Sequence, residues 1–244
     1  MSSGPDVPNS MRSTDAQAFD VIAFDADDTL WESEDGFRAT ELRFVDIVGP
    51  FAPEGIDVKA ALTATERKNL STYGYGVKAF AISMVEAAIT ISAGTVPTTA
   101  IARLIEMARD LLEAPVKLLP GVPEVLERVG RTNRIVLITK GDLVHQTHKI
   151  ETSGLAHHFE HLEIVLEKDP ESYAKLLHRF GVEANRFLMV GNSVRSDILP
   201  VLALGGHAVH VPYHLLWDLE QVEHSQLFAE LASISDLPVW LGLD

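Results

Sequence analysis

FDVIAFDADDTLW, residues 19–31, joins a short apolar run to a cluster of carboxylates. The run FDVIAF, residues 19–24, has the length and near-continuous apolar character of a buried strand in a parallel sheet. Asp25-Ala26-Asp27-Asp28-Thr29 begins where that run ends. A strand fixes the direction of the chain up to Asp25, and an extended continuation puts Asp25 and Asp27 on one side. Two neighbouring carboxylates repel, and both ionise readily only beside a cation. A hard divalent ion such as Mg²⁺ suits oxygen ligands of this kind. One carboxylate is then placed to attack phosphorus and the other to carry a proton. An acidic turn, with Thr29 capping a helix, is the bland reading of the same residues.

Outward from this segment, similar apolar runs recur at residues 134–139 (RIVLIT), 186–190 (RFLMV) and 208–211 (AVHV), with a weaker one at 163–166 (EIVL). Amphipathic stretches such as residues 123–129 and 172–180 separate them. Strand alternating with helix predicts an α/β fold with a doubly wound parallel sheet. Ligands on such sheets bind at the carboxyl ends of the strands, so the residues after each run are candidates for chemistry. Between the first strand and about Pro115 the apolar residues instead follow a helical period: Phe37, Phe44, Val45 and Val48, then Val77, Phe80, Met84 and Ala88, then Ile101, Leu104, Ala108 and Leu111. This predicts an inserted α-helical cap domain over residues 33–115. The core is then residues 18–32 and 116–244, and residues 1–17, rich in Ser, Asp, Pro and Asn, form a flexible tail outside it.

Composition narrows the classes. The 244 residues are 46% hydrophobic, enough for a substantial core. Cysteine is absent, which excludes disulfides, thiolate metal sites and cysteine nucleophiles. A formal net charge of −15 is poorly suited to a nucleic-acid backbone or an anionic membrane, so neither is an expected partner. The apolar stretch at residues 79–91 carries Glu86 and is too short to span a bilayer. No secretory signal is visible at the N-terminus, and a cytoplasmic protein is the expectation. A small phosphorylated molecule needs local cations or a metal to bind such a chain.

The other strand ends carry suitable groups. RIVLIT ends in Thr139 and runs into Lys140 and Gly141, offering a hydroxyl and backbone N–H groups to a phosphoryl oxygen. Lys168 follows EIVL just ahead of a helix, where it can neutralise charge on a transferring group. RFLMV leads into Gly191, Asn192, Ser193 and then Asp197, a metal-ligand candidate at a helix start. A cap, a surface lysine and an N-terminal helix carboxylate are the bland readings. The histidine groups His157, His158 and His161, or His207, His210 and His214, are weak metal-site candidates, and His207 and His210, three apart on a strand, face opposite ways.

With these residues in view, the chain resembles the haloacid dehalogenase superfamily of aspartate-nucleophile hydrolases along its whole length after the tail. FDADDTLW (24–31), LITKG (137–141), EKDPESY (167–173) and VGNSVRSD (190–197) match its four motifs, and the helical insertion matches a C1-type cap. The resemblance implies that Asp25 forms an aspartyl-phosphate and that Asp27 protonates the leaving group and then activates water. It implies that Thr139 and Lys168 hold the phosphoryl group, and that Asp25, the backbone carbonyl of Asp27 and Asp197 bind Mg²⁺. The dehalogenating branch lacks an acid at the position of Asp27, so phosphate transfer is favoured over dehalogenation. Asn192 stands where many relatives carry an acid and is expected at the metal or its waters. Lys140 stands where Asn is frequent.

The expected activity is a Mg²⁺-dependent phosphatase acting on a small phosphate monoester. A phosphomutase or phosphotransferase using the same residues, or a non-catalytic phosphate-binding module, is the alternative. Thr29, Lys140 and Gly141 are expected at the substrate. So are Tyr75 and Lys78 of the cap, whose Tyr73-Gly74-Tyr75-Gly76 stretch is read as facing the site; a plain inter-helix turn is the other reading. The metal is expected to lower the pKa of Asp25, and a less charged setting to raise that of Asp27.

Overall fold

The computed structural model describes residues 19–225 and 228–243, so the expected tail at residues 1–17 lies outside the described residues. The first strand, β1 (Val21–Phe24), is followed by four helices: α1 (Glu34–Val48), α2 (Val58–Tyr73), α3 (Val77–Ile91) and α4 (Thr98–Glu113). The chain then alternates: α5 (Val122–Gly130), β2 (Arg134–Lys140), α6 (Leu143–Thr152), β3 (His161–Val165), α7 (Pro170–Phe180), β4 (Phe187–Gly191), α8 (Leu199–Ala203), β5 (His207–His210), β6 (Ala229–Glu230) and α9 (Leu237–Trp240). The sheet order is β3-β2-β1-β4-β5-β6, and every pairing is parallel. Strand order reverses beside β1, so the crevice at the carboxyl ends of β1 and β4 is the switch point where such sheets bind ligands.

Strand periodicity explains why both faces are covered. Val21 and Ala23 of β1 pack with Val136, Ile138, Phe187 and Met189 beneath α7. Ile22 and Phe24 pack with Leu137, Leu188 and Val190 against α5 and the C-terminal segment. Alternate residues thus enter separate apolar layers, which is why the runs read as almost continuously hydrophobic. The helical insertion has its own core, with Phe44, Leu62, Phe80, Met84 and Leu104 at its centre. Helix α2 has no clear apolar stripe because a polar residue, Asn69, occupies one of its buried positions and donates to Ser83 and Glu86 of α3. Helical period therefore does not reveal it. The two-residue strand β6 is likewise too short to read in advance.

The two connectors between core and insertion run side by side. Leu119 N donates to Leu30 O and Glu32 N to Lys117 O, each at 2.9 Å. Among the described residues, no helix is long and apolar enough to cross a membrane.

Candidate active site

The chain turns sharply where β1 ends. Leu30 N donates to Ala26 O, and Asp28 N to Trp31 O. Asp28 takes a left-handed conformation, φ 59°, which is tolerated best by residues with short polar side chains. Its carboxylate reaches forward to accept from Ser33 N at 2.8 Å and Glu34 N at 3.0 Å, satisfying the free donors that open α1. Asp28 is therefore spent on the turn, which leaves Asp25 and Asp27 for chemistry. Burial, ahead of the charge on Asp27, pushes the Asp28 carboxyl up to about 7.

Asp25 is buried beside Lys168, whose ammonium donates to one of its oxygens and, at 2.6 Å, to Asp197 Oδ1. Thr29 Oγ1 approaches Asp25 Oδ2 at 3.2 Å and Asn192 Oδ1 at 3.4 Å. Asp197 sits in a π-helical turn, Val194–Ile198, and its Oδ2 accepts from Ser193 N at 3.0 Å. Such wide turns recur at functional sites. One ammonium here serves two buried carboxylates. Lys168 is held charged, its pKa raised because the two carboxylates outweigh the cost of burial. Burial, reinforced by Asp197 and opposed by Lys168, pushes Asp25 up to about 7. The deficit of positive charge is what a divalent cation would fill.

The donor set fits that ion. Among the described residues no three His, Asp or Glu side chains gather at one point. The side-chain oxygen donors on offer are two carboxylates and the Asn192 amide, a set that suits Mg²⁺, an ion that usually keeps several waters.

Asp27 is surrounded by donors. Trp31 Nε1 at 2.6 Å and Lys149 Nζ at 2.5 Å share its Oδ1, and Gln146 Nε2 donates to Oδ2 at 3.0 Å. Burial by itself would raise the pKa, but Lys149 and the three hydrogen bonds prevail and it is lowered. The expectation of a raised Asp27 is thus reversed for the protein groups on their own, because Lys149 supplies a charge there, while the expected lowering of Asp25 depends on the metal.

A cavity of about 170 Å³, sized for a small molecule, lies over these groups, between the core and the helical insertion. Asp25, Asp27, Thr139, Lys140, Gly141, Lys168, Asn192 and Asp197 all line it. Two expected substrate contacts do not. Thr29 lies behind Asp25, where it orients the carboxylate instead of lining the cavity. Lys78 points to Asp142 at 2.9 Å, tying α3 to the start of α6, and is half exposed. Lys140 neither faces solvent nor stands free: it pairs with Glu220, bonds Ser196 Oγ at 2.8 Å and lies 4.2 Å from the Tyr75 ring centre. Tyr75 lines the cavity and donates to Glu167 at 2.5 Å.

Residues that sequence reasoning missed include Gln146 and Lys149 on α6, and Trp217 and Glu220 after β5. The only signal for the first two was a pair of polar residues three apart beside Ile150, on the face of α6 that packs inward. Glu220 accepts from both Ser193 and Ser196, at 2.5 and 2.6 Å, and so braces the loop that carries Asp197.

A family model for haloacid dehalogenase-like hydrolases matches residues 19–205. Among solved structures, a haloacid dehalogenase-like family hydrolase from Xanthomonas campestris is 40% identical, with 94% of this chain and 93% of that one covered and a TM-score of 0.83. A 2-haloacid dehalogenase from Pseudomonas syringae pv. tomato is 22% identical over 92% of this chain and 98% of its own, with a TM-score of 0.61, a likeness of fold alone. A glyceraldehyde 3-phosphate phosphatase from Pyrococcus abyssi is 34% identical over 100 residues, which is 38% of this chain and 42% of that protein. The match thus spans less than half of that relative.

Proposed function

The chain belongs to the haloacid dehalogenase-like hydrolases, and on that premise we propose that it is a Mg²⁺-dependent phosphatase of small phosphate monoesters. The observation that carries this reading is the pair of carboxylates at the end of β1 with different partners: Asp25 against Lys168, and Asp27 against Lys149, Gln146 and Trp31. Displacement of halide from carbon needs a nucleophile but no acid for the leaving group. The expulsion of an alkoxide does need one.

Asp25 attacks phosphorus, the bond to the leaving oxygen breaks, and Asp27 gives that oxygen a proton as the aspartyl-phosphate forms. Water then attacks the aspartyl-phosphate, Asp27 takes its proton, and inorganic phosphate leaves. Asp27 begins this cycle from a setting that holds it ionised. The phosphate dianion arriving beside it adds negative charge, which favours the proton it must carry. Lys168 and Thr139 bind the transferring group, where charge develops. Asp25, Asp197, Asn192 and the backbone carbonyl of Asp27 would hold Mg²⁺, which when bound neutralises charge on the phosphate and on Asp25.

Release of inorganic phosphate from a panel of small esters in the presence of Mg²⁺ tests this. Turnover is expected, with loss of at least a thousandfold in Asp25→Asn and no halide release from 2-haloacids. Halide release that depends on Asp25, or a silent ester panel on which Asp25→Asn has no effect, would sink the reading.

A further inference from the structure

The cavity has two ends of unlike charge. The lysines that line it, Lys140, Lys149 and Lys168, all belong to the α/β core. The helical roof contributes Glu34 and Glu66 and, among the described residues, no lysine or arginine. Two roof cations act on these acids without bonding them: Arg38 pairs with Glu41, and Lys59 with Glu41 and Asp218, while their charges partly offset the rise at Glu34 and Glu66 respectively. Glu66 Oε2 is buried with no hydrogen-bond partner. Burial first, then neighbouring negative charge, pushes Glu34 up to about 8 and Glu66 up to about 7. On the floor, Gln146 is only 2% exposed. Its Nε2 donates to Asp27, Thr139 and the Lys140 carbonyl, while its Oε1 has no donor.

Buried acceptors without donors are costly unless something supplies the missing hydrogen bonds. The roof also brings aromatic rings to the cavity: Phe37 and Phe80 line it with ring centroids 5.4 Å apart, edge to face, and Trp217 lines its wall. Acids with no cation bonded to them, lining one cavity with aromatic rings, form a recognition set for an ammonium group, whose charge favours their ionised form. We propose that the substrate is a small amino-alcohol phosphate, its phosphate at the lysine-lined floor and its protonated amine at Glu34 and Glu66. The inference rests on the phosphatase reading and adds the chemical class of the leaving alcohol. A leaving group bearing a carboxylate brings no cation to the two acids and is repelled once they ionise, so it is disfavoured.

Three esters of similar size test it: 2-aminoethyl phosphate, 2-hydroxyethyl phosphate and phosphoglycolate. With Mg²⁺, kcat/KM from phosphate release is expected to be at least tenfold higher for the amine than for the neutral ester, with the acid lowest. Glu66→Gln and Glu34→Gln should each cut the amine-to-neutral ratio fivefold or more. An equal or reversed ranking in the native protein, or an unchanged ratio in both variants, overturns the proposal. Calorimetric titration of the same esters into the full-length Asp25→Asn protein separates this from the parent reading. Tighter binding of the amine ester there, with no turnover of any ester by the native protein, removes the phosphatase reading and keeps the recognition site. Absence of a binding preference removes the site whatever the turnover.

Discussion

Asp25 and Asp27 stand two residues apart and occupy opposite electrostatic surroundings. Asp25 shares one ammonium with Asp197, whereas Asp27 has Lys149 and Trp31 to itself and a share of the Gln146 amide. This division suits one group to attack and the other to handle protons. Lys149 is the residue that anchors Asp27, and it is 9% exposed, so its contact is little weakened by solvent. Lys149→Met is expected to lower kcat by about ten- to a hundredfold, less than the roughly 10²–10⁴-fold that a positioned acid–base group supplies, because Asp27 itself remains. The Mg²⁺ concentration giving half-maximal rate should stay unchanged, since the lysine is placed at Asp27 and not at Asp197; steady-state kinetics at varied Mg²⁺ reads both. At this scale the sequence picks out five residues that line the cavity, Asp25, Asp27, Thr139, Lys168 and Asp197, because each ends or follows an apolar run or its short loop. Lys149 and Gln146 stay hidden because they lie inside a helix, where polar residues ordinarily face water and only tertiary packing turns them inward.

Among the elements, the strand β4 and the turn after it form one unit. Gly191 has no side chain because the Asp197 carboxylate occupies that space: an added Cβ would lie 2.3 Å from Asp197 Oδ2 and 2.7 Å from its Cβ. The π-helical turn brings Asp197 back against the strand end, with Asp197 N donating to Ser193 O at 2.8 Å. Gly191→Ala must therefore displace Asp197. Overpacking of this kind costs about 1–3 kcal/mol, visible in thermal unfolding. The Mg²⁺ needed for half-maximal rate is expected to rise at least tenfold; a variant with native Mg²⁺ dependence would show that Asp197 is not a ligand. The apolar runs of β1, β2 and β4 are legible because both faces of a parallel sheet are buried. Nothing in Ser193-Val194-Arg195-Ser196-Asp197 announces a π-helical turn, since its shape is set by Glu220 gripping both serines from a distant segment. The same holds for the cap loop. Tyr73-Gly74-Tyr75-Gly76 is conspicuous in sequence, but which of its neighbours reaches the cavity depends on Glu167 and Asp142 across the interface.

Over the whole molecule, the acids of the cavity roof tie function to stability. Glu34 and Glu66 have ordinary carboxyl values when the chain is unfolded, yet sit at about 8 and about 7 when folded, chiefly through burial. The folded protein therefore binds more protons than the unfolded chain between about pH 4.5 and pH 8, and stability falls as pH rises through that window. Below it both states are protonated, and above it both are ionised, so the loss is complete on the alkaline side. Replacing either acid by glutamine removes its share of this dependence. The double variant Glu34→Gln with Glu66→Gln is expected to gain on the order of 1–3 kcal/mol over the native chain at pH 8.5 and little at pH 5. The two gains should not simply add, because each carboxyl lies in the other's field. Chemical denaturation at the two pH values measures the effect, and equal stability differences at both would refute it. An amine held between the same carboxyls should act in the same direction as the substitutions. 2-Aminoethyl phosphate added to the Asp25→Asn protein should then raise the unfolding midpoint more at pH 8.5 than 2-hydroxyethyl phosphate does, since only the amine brings a charge that relieves the roof.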